Sequence, residues 1–186
     1  KVYDEQVILK AGFVKKLQLS NLKAHLYKQI LISLKLNPSH QNLRIQLREQ
    51  LDFATILYHK GLYRQSLKML DKAKSLAIKN QEKNIAYEIV ELEKIIESQY
   101  ITRSLSNRAD ELTVQAKELS HQNVIASKLS NLSLQLYGLF LKTGYVKNDK
   151  EYQKVTDYFN TRMPEYKIEA LGFREKLWLY KSYLWY

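Results

Sequence analysis

The chain has no cysteine in its 186 residues, which excludes disulfides, thiolate catalysis and any Cys-ligated metal. Glycine and proline are scarce, at five and two. That is too few turn-formers for an all-β or loop-rich fold, and it suits long helices with tight connections. Long apolar runs are also missing. The densest, Leu136 to Leu141, falls far short of the roughly 20 residues a membrane span takes. Acidic residues are outnumbered, 19 against 30 Lys and Arg, for a net charge of +11. With 45% hydrophobic and 26% charged residues, the composition is that of a globular chain rather than a disordered one. At this length one domain is expected, 1–186. The expected compartment is the cytoplasm.

Charge is distributed unevenly. Residues 1–79 carry 15 Lys and Arg against 5 Asp and Glu, a balance of +10, and the rest is nearly neutral. Arg64, Lys68, Lys72 and Lys79 fall at spacings of 4, 4 and 7, which on a helix is one stripe. Lys15, Lys16, Lys23, Lys28 and Lys35 lie upstream. Such a face can meet an anionic surface, nucleic acid or an acidic protein, or it can simply be solvated. Nothing beside the stripe looks like a base-stacking platform.

Apolar spacing is helical throughout. Tyr63, Leu67, Leu70, Ala73 and Ala77 step by three and four, as do Ile85, Ile89, Leu92 and Ile96. Joints are expected at Asn37-Pro38-Ser39, Lys60-Gly61, Asn80-Gln81, Ser120-His121-Gln122-Asn123, Gly144 and Met163-Pro164. Together they predict about nine helices, at 2–18, 20–36, 41–60, 62–79, 82–101, 105–120, 123–143, 149–162 and 164–185. Asn148-Asp149 should cap the eighth, and Pro164 should sit in the first turn of the ninth. The alternation of Leu132, Leu134 and Leu136 is strand-like, but the surrounding pattern assigns it to a helix.

Self-comparison gives a period of about 42 residues. Lys74-Ser75-Leu76-Ala77-Ile78-Lys79-Asn80 resembles Leu31-Ile32-Ser33-Leu34-Lys35-Leu36-Asn37, and Lys72 to Ala77 resembles Gln115 to Ser120. The repeating unit is a helix pair, and stacked pairs bury stripes that a lone pair cannot, which predicts an all-α, right-handed α-solenoid. Residues 47–80 resemble a tetratricopeptide repeat. Ala54 stands in the small helix-A position, Gly61 and Tyr63 in the turn, and Ser66, Leu67, Leu70 and Ala73 in the helix-B packing positions. Ser66 replaces the usual Ala, Gln50 stands where the family has Trp, and the closing Pro is absent. The other units match only in architecture.

The resemblance implies a groove lined by the first helix of each pair that receives a peptide or protein segment. Carried over by position, its residues here would be Arg48, Leu51, Thr55, Tyr58 and His59. The plainer alternative packs Leu51 and Tyr58 between helices and pairs Arg48 with Asp52 one turn on. The basic stripe Arg64, Lys68, Lys72 and Lys79 would face away from that groove.

A search for chemistry yields no Gly-rich phosphate loop and no nucleophile elbow. The four His are far apart, and Glu118 with His121 makes one Glu-x-x-His pair with no second to complete a metal site. Glu88, Glu91, Glu93 and Glu97 are expected on a solvated surface with Lys94. The expectation is a non-enzyme without cofactor or metal, namely a scaffold or adaptor with a protein or peptide partner. Two other readings are a sensory or regulatory module of a larger bacterial regulator and a basic-surface nucleic-acid binder. The last nine residues hold Trp178, Tyr180, Tyr183, Trp185 and Tyr186. Such a terminus suggests a fragment of a longer protein, with further repeats or an output domain beyond Tyr186.

Overall fold

Helix ends in this chain are set by a few residues with left-handed backbone. The computed structural model describes residues 4–12, 14–36, 42–99 and 107–186. Among them are eight α-helices, one 3-10 turn and no strand: α1 (Glu5–Lys10), α2 (Lys16–Leu36), α3 (Leu43–His59), α4 (Tyr63–Lys79), α5 (Lys83–Gln99), α6 (Arg108–Thr143), α7 (Asp149–Arg162), the 3-10 turn (Ile168–Ala170) and α8 (Phe173–Trp185). The fold class is all-α. The chain falls into two compact units, 1–46 and 47–186. The expected joint at Asn37-Pro38-Ser39 lies outside the described residues.

In the first unit, Asp4 accepts from the Gln6 N–H at 2.9 Å and caps α1. Gly12, at φ +77°, closes it, so the helix expected at 2–18 is split. A left-handed glycine stops a helix because the next N–H no longer points back along the axis. Helix α2 buries only Leu19, although it is dense in Leu and Ile.

In the second unit α3 and α4 end alike. The Gly61 N–H reaches the Tyr58 carbonyl and the Leu62 N–H the Leu57 carbonyl, both at 2.9 Å, with Gly61 at φ +74°. Twenty residues on, Gln81 donates to Ile78 at 3.1 Å and Glu82 to Ala77 at 2.9 Å, with Gln81 at φ +60°. Both are the paired closure that satisfies the last free carbonyls of a helix. Gln81 adopts a conformation that ordinarily costs a side-chain-bearing residue about 1–2 kcal/mol.

Helices α4, α5 and α6 pack in succession, and α6 in turn packs against α7 and α8. Leu70, Ala73 and Ala77 of α4 and Ile85, Ala86, Ile89, Val90 and Ile96 of α5 are wholly buried. This is the three-and-four spacing of the sequence turned into a core. Two smaller clusters follow. Leu129, Leu171 and Leu179 pack with Met163 and Trp178, and Leu132, Leu136 and Phe159 pack with Met163 and Trp185.

Three expectations need correction. The joint at residues 120–123 does not exist, because α6 runs unbroken from Arg108 to Thr143 and replaces two predicted helices. Its first half buries Leu112, Ala116 and Leu119, and its second half Leu129, Leu132 and Leu136. At 3.6 residues per turn these stripes differ by roughly a third of a turn. The polar quartet lies where the buried face changes over, not where the chain breaks. With α6 continuous, Ser120 is no helix end comparable to Lys79. Finally, α8 starts at Phe173 rather than 164. Pro164 lies in a segment without regular secondary structure, and Gly172 occupies the position before the helix. Asn148 does cap α7, accepting from the Glu151 N–H at 2.9 Å.

Candidate partner-binding face

Ala54 and Ser66 are both fully buried. The Ser66 hydroxyl donates to the Ala54 carbonyl at 2.8 Å. Two small side chains let α3 and α4 approach closely, and the hydroxyl, once desolvated, finds its partner in the facing helix.

That crossing fixes which side of α3 turns toward α5. Arg48 meets Glu88 of α5 through two bonds, Nη1 to Oε2 at 3.3 Å and Nη2 to Oε1 at 3.2 Å. The Tyr58 hydroxyl donates to Gln99 Oε1 at 3.0 Å. Positions 48 and 58 thus pair with 88 and 99, so α3 and α5 run parallel with partners 40 and 41 residues apart. Arg48 pairs across to α5 rather than with Asp52. Leu51, Thr55 and Tyr58 are half-buried, His59 is exposed, and the Thr55 hydroxyl is turned back onto the Leu51 carbonyl at 2.8 Å. The Tyr58 ring lies 5.1 Å from His59 and 5.9 Å from Tyr63. Glu91 with Lys94, and the half-exposed Ile95, lie on the α5 side. The α5 partners Glu88 and Gln99 were not anticipated.

Arg64, Lys68, Lys72 and Lys79 are all exposed on α4, and no ion pair to them occurs among the described residues. They form a charged face separate from the Arg48 and Tyr58 positions.

The acidic cluster of α5 divides in two. Glu88, Glu91 and Glu97 keep some exposure, but Glu93 is completely buried, and its expected place on a solvated surface is corrected. Its partner is Lys74 Nζ at 2.6 Å, also buried. Arg108, at the start of α6, reaches Glu93 and Asp71 at 3.4 Å and Glu111 at 3.3 Å. Burial pushes the Glu93 carboxyl above its ordinary value, and Lys74 and Arg108 pull it back only in part. The network ties α4, α5 and α6 together at one point.

A cavity of about 430 Å³ opens beside α6 and the segment before α8, lined by Ile125, Tyr166, Leu171, Lys83, Glu118 and Glu175 among others. Lys83 and Glu175 form a pair at 3.2 Å, both nearly buried. Tyr166 shares a 3.3 Å hydrogen bond with Tyr183, which raises its hydroxyl to about 12. No group of three metal-ligating side chains occurs among the described residues, and no described helix is long and apolar enough to cross a membrane. Comparison with family models, curated proteins and solved structures finds no match to the chain.

Proposed function

We propose that residues 47–186 are a non-catalytic, tetratricopeptide-like helical-repeat scaffold whose α3–α5 face binds an extended segment of a partner protein. The observation that carries this reading is the parallel pairing of α3 with α5 at offsets of 40 and 41 residues. In stacked helix pairs the first helices stand side by side in this way, one repeat apart, and leave one face open. The close crossing at Ala54 and Ser66 and the matching closures at Gly61 and Gln81 support the same arrangement.

The face suits a peptide with a carboxylate and a bulky apolar side chain. Arg48 and Glu88 are each about half exposed, and exposed pairs of this kind are worth about 0–1 kcal/mol. An incoming carboxylate can therefore take the Arg48 fork at little cost. Tyr58 offers a broad ring that is already held in place, so ordering it on binding costs little entropy. The test is to select binders to the intact chain from a random peptide library and measure their affinity by calorimetry. Arg48→Glu with Tyr58→Ala should weaken the selected peptides at least about tenfold, while Lys68→Glu with Lys72→Glu should not. The opposite pattern, with affinity collapsing as salt rises, would assign binding to the exposed α4 cations and to an anionic partner.

A further inference from the structure

Where α6 changes its buried face, two cavities adjoin it. His121, Gln122 and Ile125 line the one of about 430 Å³, together with Tyr166, Ala170 and Leu171. Asn123, Ser127 and Ser130, on the adjacent side of the same helix, line a second of about 260 Å³. Lys83 and Glu175 belong to the walls of both. The first cavity is walled mainly by apolar surface, the second mainly by amide and hydroxyl groups. Three members of the polar run 120–123 therefore line open space, which gives that run a use in the middle of a helix.

The charges of these walls sort by exposure. The Lys83 and Glu175 side chains are only 12% and 6% exposed and pair at 3.2 Å through Oε1. No other hydrogen bond or ion pair to either side chain occurs among the described residues. The ammonium thus keeps donors unused, and the carboxylate keeps Oε2. Lys74 and Glu93, by contrast, are completed by Asp71 and Arg108. The other lysine, arginine and glutamate side chains of the two walls are exposed. Among them Glu118 accepts from Gln122, Arg174 lies 3.9 Å from Glu82, and Glu165 and Lys167 are opposite in sign. A ligand with one charge would meet its like in the buried pair at low dielectric, whereas a zwitterion meets each group with its opposite. A cavity of a few hundred Å³ with mostly apolar walls and a few convergent polar groups is the usual form of a small-molecule site.

We infer that the walls around Lys83 and Glu175 bind a small zwitterion with a bulky apolar side chain, the chemistry of an apolar α-amino acid. The ligand carboxylate takes the Lys83 ammonium, and its own ammonium takes the Glu175 carboxylate. Its side chain lies against Ile125, Tyr166 and Leu171. This site is separate from the α3–α5 face and does not depend on it.

The probes are L-leucine, L-phenylalanine and L-tryptophan, each titrated into the intact chain by calorimetry. At least one should bind saturably with a Kd below about 1 mM. Its analogues lacking one charge, for phenylalanine 3-phenylpropionate and 2-phenylethylamine, should bind at least about tenfold more weakly. Glycine, which has no apolar body, should do the same. Lys83→Met with Glu175→Leu removes the pair without stranding a charge and should abolish binding. Ala170→Trp, at an exposed position, fills the first cavity without touching the pair and should abolish it too. Arg48→Glu with Tyr58→Ala should leave it unchanged, and circular dichroism checks that each variant is folded. Three results would overturn the inference: no saturable binding of any of the three probes, the acid or the amine alone binding as tightly as the amino acid, or full affinity in either cavity variant. Loss of binding in Arg48→Glu with Tyr58→Ala alone would move the ligand to the α3–α5 face and equally overturn it.

Discussion

Removing the Lys74 side-chain charge should cost more stability than any surface substitution in this chain. Glu93 is fully buried and Lys74 nearly so, 2.6 Å apart. Breaking a buried pair by deleting one partner typically costs about 3–5 kcal/mol, because the remaining charge is stranded in a low-dielectric interior. Here the loss falls toward about 3 kcal/mol, since Arg108 remains 3.4 Å from Glu93. For a unit of this size that corresponds to a Tm lower by about 10 °C. The assay is a cycle of Lys74→Met, Glu93→Leu and the double variant, unfolded in urea and followed by circular dichroism. The double variant should recover most of the loss, because two apolar side chains of similar volume leave no stranded charge. Burial raises the Glu93 carboxyl in the folded state. Its contribution to stability is therefore full below its unfolded pKa and is lost as pH rises through the folded value. Deleting the Lys74 ammonium raises the carboxyl further, so Lys74→Met should be milder in acid, where the carboxyl is neutral, and more damaging as pH rises. If each single variant costs under about 1 kcal/mol, or if the double costs the sum of the two, the reasoning about the pair is wrong.

Gln81→Gly should stabilise the chain by up to about 1 kcal/mol in thermal melts, because Gln81 occupies a left-handed position and glycine meets no such penalty there. Gly172→Ala should cost under about 1 kcal/mol in the same melts, since the added Cβ meets only the side-chain ends of Gln81 and Glu175, which can turn aside. Ser66→Val should cost about 1–3 kcal/mol in urea unfolding, through overpacking where α3 and α4 cross. In a spectrophotometric titration one tyrosine should ionise late, near about 12, because neutral Tyr166 bonds to Tyr183. The late step should vanish in Tyr183→Phe. That bond's contribution to stability is full below the ordinary tyrosine pKa and lost as pH rises through about 12.

The helices that sequence reasoning placed well are those with both a clean apolar stripe and a local stop. Helix α4 has Leu70, Ala73 and Ala77 on one face and ends at Asn80-Gln81; α7 has its Asn148 cap. Reasoning failed where one signal stood for two physical states. A polar run such as Ser120 to Asn123 marks either a turn or a change of buried face, and only the packing partners of α6 decide which. Gly12 was overlooked because the apolar pattern continues past it, although its backbone turns left-handed. Charge was harder still. Glu93 and Lys74 look like their solvated neighbours, and nothing in the local sequence says that 74 and 93 meet. For the proposed α3–α5 face the expected positions come from the resemblance at 47–80, whereas the Arg48 and Tyr58 partners, Glu88 and Gln99, lie on a helix that this segment does not include.

An unbroken α6 has a mechanical meaning. At 1.5 Å per residue, Arg108 to Thr143 is a rod of about 54 Å. Its front end is bolted by Arg108 to Asp71 and Glu93, and its rear is clasped by α8. Helix pairs joined by turns can shift at each turn, whereas α6 offers no such turn between its two packing faces. The tryptophan end and the buried charges are thus the two ends of one continuous helix.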